Sequence, residues 1–218
     1  MNKLFALLLI FCMLVSCNSG KTKKTTVSDD DLALIDAELI DNTLNMDRML
    51  VAADFEISKN RVGFVVIGDS LIHKIPSNIS YELKTITRSE EGVDYEIKTL
   101  TLNNNGTAMM RIELSEDDKV NEISVLSALP VTKEDMGVGS SLQDFIVAYP
   151  DYKLWYTYVS DRFVLETNKL QGVQFLIDKK DYTGDKNKLK TASDMIMLKS
   201  NDFKSDAVIS SIRVFFSE

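Results

Sequence analysis

The chain of 218 residues carries one histidine, His73, and two cysteines, Cys12 and Cys17, both near the N-terminus. A His/Cys metal site needs several such ligands at fixed spacing, and a Cys–His dyad needs the thiol beside the imidazole. Neither set can be assembled here, so no metal and no cofactor is expected. A Ser–His–Asp triad would have to use His73, which falls between Ile72 and Lys74 in a short apolar segment. An ordinary surface or half-buried histidine is the default there. Two glycine-serine elbows, Gly68-Asp69-Ser70 and Gly139-Ser140-Ser141, lack the Gly-Lys-Ser/Thr that completes a phosphate loop. They also lack the closing glycine of a nucleophile elbow, and helix capping accounts for both. In "DKKDYTGDKN" (178–187) the aspartates stand at positions 1, 4 and 8, not at the 1, 3, 5 of a calcium loop. Glycoside hydrolysis needs two facing carboxylates; this acidic chain has many, and no spacing selects a pair. What remains is an aromatic cluster, Tyr152, Trp155, Tyr156 and Tyr158, able to stack on sugar or peptide. Strand alternation puts Tyr152, Leu154, Tyr156 and Tyr158 on one face and Trp155 on the other. These four aromatics are the candidate binding surface, and packing into a core is the rival use for them.

The elements around these residues follow from periodicity. Residues 29–52 place Leu32, Ile35, Leu39, Met46 and Leu50 on one helical face, behind Ser28 and three aspartates suited to a helix N-terminus. Short β-branched and alternating runs then read as strands: "GFVVIG", "YELKTITR", "VDYEIKTLTL", "TAMMRIEL" and "VNEISVLS". Polar or Asn-Gly turns separate the last four, so they form an antiparallel meander. "SSLQDFIVAYP" sets Leu142, Phe145, Ile146 and Tyr149 on one helical face, with Ser140 or Ser141 as cap and Pro150 as stop. Strands "KLWYTYV", "RFVLET", "GVQFLID" and "VISSIRVFF" follow. The insertion 179–206 is too long for a plain connection. Its "DMIMLK" suits a turn of helix or an edge strand, and the rest reads as a mobile loop. "VVIGDSLIHKIP" (65–76) aligns with "MGVGSSLQDFIVAYP" (136–150), which suggests an internal duplication. The expected fold is α+β: two similar halves, 61–130 and 131–218. Each is a short helix plus a mainly antiparallel four-strand sheet, and an N-terminal helical segment over 29–60 precedes them.

The N-terminus looks like an address. After Lys3, "LFALLLIFCMLV" is an apolar run of secretory-signal length, too short to span a bilayer. It ends in Leu14-Val15-Ser16-Cys17, which resembles the bacterial lipoprotein lipobox. Residues 1–16 are then a signal peptide, Cys17 the lipidation position and 17–28 a Ser/Thr/Lys-rich tether. Asn18 after the anchor is not the aspartate that retains enterobacterial lipoproteins at the inner membrane, so the outer membrane is favoured. The formal charge of −8 includes Lys3; without it the charge is −9. Nucleic-acid binding, which draws its affinity from clustered Lys and Arg on phosphates, is not expected.

The order of these features is similar to that of the RpoE-regulated lipoproteins of enterobacteria, a domain family of unknown function. The similarity runs from Arg61 to Phe216 and is best over Asn105 to Phe145, where hairpin, proline and Gly-Ser-Leu helix keep order and spacing. It implies a duplicated α+β envelope lipoprotein and brings no catalytic residue. The combined expectation is a non-catalytic, lipid-anchored envelope protein. The membrane is its first partner, and an envelope protein or glycan its second. The alternative is a carboxylate-based hydrolase of envelope glycan or peptide. Cys17→Ala is expected to abolish incorporation of a fatty-acid probe in cells; unchanged labelling would remove the lipoprotein reading.

Overall fold

The computed structural model describes residues 52–90, 93–190 and 194–217. The signal segment, Cys17, the tether and nearly all of the helix expected over 29–52 lie outside the described residues. No helix among those described is long and apolar enough to cross a membrane.

A 3-10 turn, Ala52–Phe55, leads into three two-residue strands, β1 (Ile57–Ser58), β2 (Arg61–Val62) and β3 (Val65–Val66), which pair antiparallel in that order. Gly63 makes their tight reversal possible. Its φ is +55°, and a Cβ there would stand 2.4 Å from the Asp54 carbonyl oxygen. Nine further strands form one antiparallel sheet. They are β4 (Ser80–Glu90), β5 (Val93–Asn104), β6 (Thr107–Leu114), β7 (Val120–Val125), β8 (Lys153–Thr157), β9 (Arg162–Glu166), β10 (Val173–Ile177), β11 (Met195–Met197) and β12 (Ile209–Phe215). Their order is β11-β8-β9-β10-β12-β7-β6-β5-β4. The β5–β6 hairpin turns through Asn105 and Gly106, both at positive φ, as a two-residue type I′ loop requires.

This corrects the expected architecture. The chain does not build two halves with a helix and a four-strand sheet each. Strands β7 and β12 pair directly, Val125 opposite Ile212 and Ile123 opposite Val214, so both runs of strands merge into one sheet. Only the second run has its helix, α1 (Leu142–Ala148), the one α-helix among the described residues. Capping and length explain the difference. Ser141 accepts the Asp144 N–H at 3.0 Å and returns its own proton to the Asp144 carboxylate at 2.6 Å. In the first run Ser70 is extended and bridged to Lys119, and Asp69 is bound to Lys74 at 2.6 Å. Pro76 then arrives six residues after Ser70, where Pro150 arrives nine after Ser141. Ile72–Lys74 forms only a 3-10 turn, with no side-chain cap.

One face of the large sheet carries the core. Leu100, Met110, Ile112, Ile123, Ile212, Val214, Phe175 and Leu165 alternate onto it, and Phe55, Ile57, Val62 and Val65 of the small sheet join the same cluster. Helix α1 lays Phe145 on Phe175, with ring centroids 4.7 Å apart at 60°. The insertion is more than a loop. Met195–Met197 pairs with β8 as an edge strand, and Tyr182 and Phe203 are buried against Phe163 in a three-ring cluster. Asp181, buried beneath, is held by Lys204 at 3.2 Å.

Tyr149, next after α1, is fully buried, and its hydroxyl lies 2.8 Å from Thr132 Oγ1 and 2.7 Å from a Glu134 carboxylate oxygen. A carboxylate can only accept, so the phenol donates to Glu134 and accepts from Thr132. Burial first, and the Glu134 charge with it, hold this phenol far above its usual ionisation range, against the opposing pull of Thr132. Folding therefore favours the protonated phenol. That contribution is complete below about pH 10, the unperturbed tyrosine value, and is lost as pH rises through and beyond it. Tyr149→Phe is expected to cost about 1–2 kcal/mol at neutral pH. In denaturant titrations its deficit should shrink above about pH 10; a constant deficit would contradict the assignment.

Candidate functional site

The register of β8 and β9 divides the aromatic strand between the two faces of the sheet. Leu154 lies opposite Leu165 and Tyr156 opposite Phe163, so both enter the core; Trp155 lies opposite Val164 on the other face. Tyr156 is 6% exposed, packs on Phe163 and donates to Asp161 at 2.7 Å. Tyr152 is half-buried and packs against the core, while Tyr158 follows the strand and is 60% exposed. The four predicted aromatics are thus not gathered on one surface, and Trp155 stands apart from the tyrosines.

The face that holds Trp155 is covered by neither α1 nor the small sheet's core residues. Long polar side chains occupy it. The indole Nε1 of Trp155 donates to Glu166 at 3.2 Å. The other Glu166 oxygen accepts Gln174 Nε2 at 2.8 Å. Gln174 Oε1 accepts Arg213 Nη1 at 3.3 Å, and Arg213 grips Glu122 through Nε at 2.8 Å and through Nη2. One hydrogen-bonded run therefore crosses β8, β9, β10, β12 and β7. Glu122 faces Glu113 directly across β7 and β6, a like-charge pair that repels unless compensated. Arg88, from β4, binds both oxygens of Glu113 and supplies the second compensating guanidinium.

Charge and apolar contact are organised separately here. Glu122 holds the Arg213 guanidinium above its usual range, chiefly by hydrogen bonding. Partial burial, then the like charge of Arg213, holds Arg162 below it. Beside the polar run, Trp155, Val164 and Leu176 are neighbours across three strands, and Val164 and Leu176 are buried beneath the longer side chains. Next to this strip a hollow of about 310 Å3 opens, lined by Arg111, Arg162, Arg213, Ser124, Ser211 and Leu176 among others.

No group of three or more His, Cys, Asp and Glu able to hold a metal is present among the described residues. Glu113 and Glu122, the facing carboxylates on this surface, have both oxygens engaged by guanidinium N–H groups, so neither is free to deliver a proton to a leaving group. His73 lies exposed in its 3-10 turn. Sequence reading singled out Trp155 but none of Glu166, Gln174, Arg213, Glu122, Arg88 or Glu113. Alternation along "RIEL", "VNEISV" and "ISSIRVF" marks several as outward-facing. It does not say that Arg213 and Glu122, 91 positions apart, will meet.

No family model matches this chain, and no curated protein matches it. Among solved structures, the crystal structure of the uncharacterized protein yfeY from Escherichia coli is similar. The identity is 12%, the match covers 74% of this chain and 99% of that one, and the TM-score is 0.48. That neighbour is an enterobacterial protein of uncharacterized function; its description contains nothing of RpoE regulation, and at this score it carries no argument about a site.

Trp155 is the only tryptophan of the chain, so its emission reports on this face alone. Glu166→Ala is expected to release the indole N–H, shift the emission to the red and cost about 1 kcal/mol of stability. Unchanged emission would show that Glu166 does not hold the ring.

Proposed function

We propose that this chain is a lipid-anchored protein of the bacterial cell envelope, on the outer membrane, and that it binds another envelope component through the open face of its large sheet without catalysing a reaction. The observation that carries the binding reading is the hydrogen-bonded run from Trp155 to Glu122. Long side chains on a solvent-facing sheet lose rotamer freedom when they are tied to one another. A surface that only needs to be soluble has no use for that order. A recognition surface does, because side chains fixed in advance do not have to be ordered when the partner arrives. The half-buried indole beside a buried aliphatic strip adds the kind of aromatic anchor on which interface energy concentrates.

Anchoring and location rest on the sequence. The apolar run ending in "LVSC" and the polar tether behind it support lipidation at Cys17, and Asn18 supports the outer membrane. The likeness of residues 61–216 to RpoE-regulated lipoproteins supports the same compartment. The carboxylate-hydrolase alternative has no observation in its favour on this face, where the facing carboxylates are occupied by arginines.

The face can be mapped in living cells. A photo-crosslinking residue at Lys153, exposed on the open face, is expected to capture a partner. The same residue at Val147, 71% exposed on the outside of α1, is expected to capture none. Trp155→Ala should reduce capture at Lys153 by about tenfold or more, the size of a hot-spot loss. Equal capture from both positions, or capture indifferent to Trp155, would remove the sheet-face reading.

A further inference from the structure

The charges around the centre of the open face come in matched sets. Arg213 is taken by Glu122 and Arg88 by Glu113. At the rim of the hollow, Asp161 accepts from Tyr156 and binds Lys179, and Asp178 accepts the Lys180 N–H and pairs with its ammonium at 3.2 Å. Four cations and four carboxylates are thereby consumed. Two guanidiniums are left over. Arg111 on β6 and Arg162 on β9 are open to solvent, and neither has a hydrogen bond or ion pair among the described residues. Both line the same 310 Å3 hollow. Ser124 stands between Arg111 and Arg213 in the register of β6, β7 and β12, and Ser211 contributes a second hydroxyl to the lining.

This grouping runs against the composition. In a chain of formal charge −8, uncompensated positive charge collected at one concave place is not a by-product of overall charge. Guanidinium is also the side chain suited to the purpose, since its fork donates two parallel hydrogen bonds to a phosphate or carboxylate, where an ammonium offers only a point charge. Arg213 cannot supply a fork, because Glu122 and Gln174 already hold its three nitrogens. Its charge is matched by Glu122, so the unpaired positive charge of the hollow comes from Arg111 and Arg162.

We propose that the hollow bordered by Arg111 and Arg162 binds a doubly charged oxygen anion, a phosphate monoester or a dicarboxylate, carried by the envelope component that this face recognises. Each free guanidinium takes one pair of anionic oxygens, and Ser211 offers a hydroxyl donor, while the Ser124 hydroxyl in the same lining already donates to Glu122 at 3.4 Å. The hollow is roomier than one phosphate, and Leu176 in its lining continues into Val164 and Trp155. The anion is therefore one end of a larger molecule whose apolar part lies along that strip. This assignment deepens the binding-face reading and rests on it.

The test is calorimetric titration of the purified full-length chain with inorganic phosphate, glycerol phosphate and succinate, with acetate as the singly charged comparison. Dianions are expected to bind about tenfold or more tightly than acetate, and the better of phosphate and succinate identifies which oxyanion the site takes. Arg111→Ala and Arg162→Ala should each weaken dianion binding by about tenfold or more, the loss for a charge-assisted hydrogen bond. Neither should lower the denaturation midpoint, because neither side chain has a bond among the described residues. Absence of binding by all three dianions overturns the proposal, as does equal binding by the double variant. If dianions fail while a crosslinker at Lys153 still captures its partner, the anion site falls and the binding face stands. If dianions bind in an arginine-dependent way while Lys153 captures nothing, the anion site stands and the partner reading falls.

Discussion

Strands β7 and β12 begin about ninety positions apart in the chain, and their backbone pairing turns two runs of strands into one sheet. The contact has two different sides. Towards the core, Val125 meets Ile212 and Ile123 meets Val214, all buried. Towards solvent, Arg213 reaches across to Glu122 with two hydrogen bonds. The apolar side makes the joint adhesive, because edge strands with branched apolar side chains bury area only by finding one another. The polar side fixes its register. A slip of one residue would send Arg213 and Glu122 into the core and the aliphatic residues out to water.

Everything on the open face inherits its position from that joint. The run from Trp155 to Glu166, Gln174 and Arg213 belongs to one set of strands, while Glu122, Glu113 and Arg88 belong to the other. Without the pairing, Arg213 has no carboxylate, and the Glu113–Glu122 pair loses one of the two guanidiniums that make it tolerable. The hollow depends on the joint in the same way, since Arg111 comes from β6, Arg162 from β9, and Ser124 and Ser211 from the two strands that meet.

Much of the local structure was legible. Asn105-Gly106 turns the hairpin where primed-turn chemistry puts it, and β6 occupies the residues read as "TAMMRIEL". Ser141 caps α1 and the helix ends before Pro150. The misreadings have specific causes. "GDSLIHKIP" has the composition of a capped helix, but Ser70 is recruited into a bridge with Lys119 and the proline comes too soon for a full helix. The insertion looked mobile because its residues are polar on average. Two rings, Tyr182 and Phe203, are enough to fasten it over Phe163, and average composition hides pairs like these. In the aromatic strand, alternation already separates Trp155 from the tyrosines, and the register of β8 and β9 has the same separation. The pleat sends Tyr156 inward and Trp155 outward, and burial then assigns them different duties.

By itself the amino-acid sequence determined what depends on near neighbours: turn chemistry, caps and strand alternation. These are set by residues within a few positions of one another, where φ preference, hydrogen-bond reach and periodicity act directly. Only the tertiary structure decided that the two runs share one sheet, that neither α1 nor the small sheet lies over one of its faces, and which charges there find partners among the described residues. Alternation identifies the side of a strand that faces out but not the strand lying beside it. Arg111, Arg162 and Arg213 are three unremarkable outward residues in sequence. Pairing across ninety positions sets them around one hollow and leaves two of them without a bonded carboxylate among the described residues.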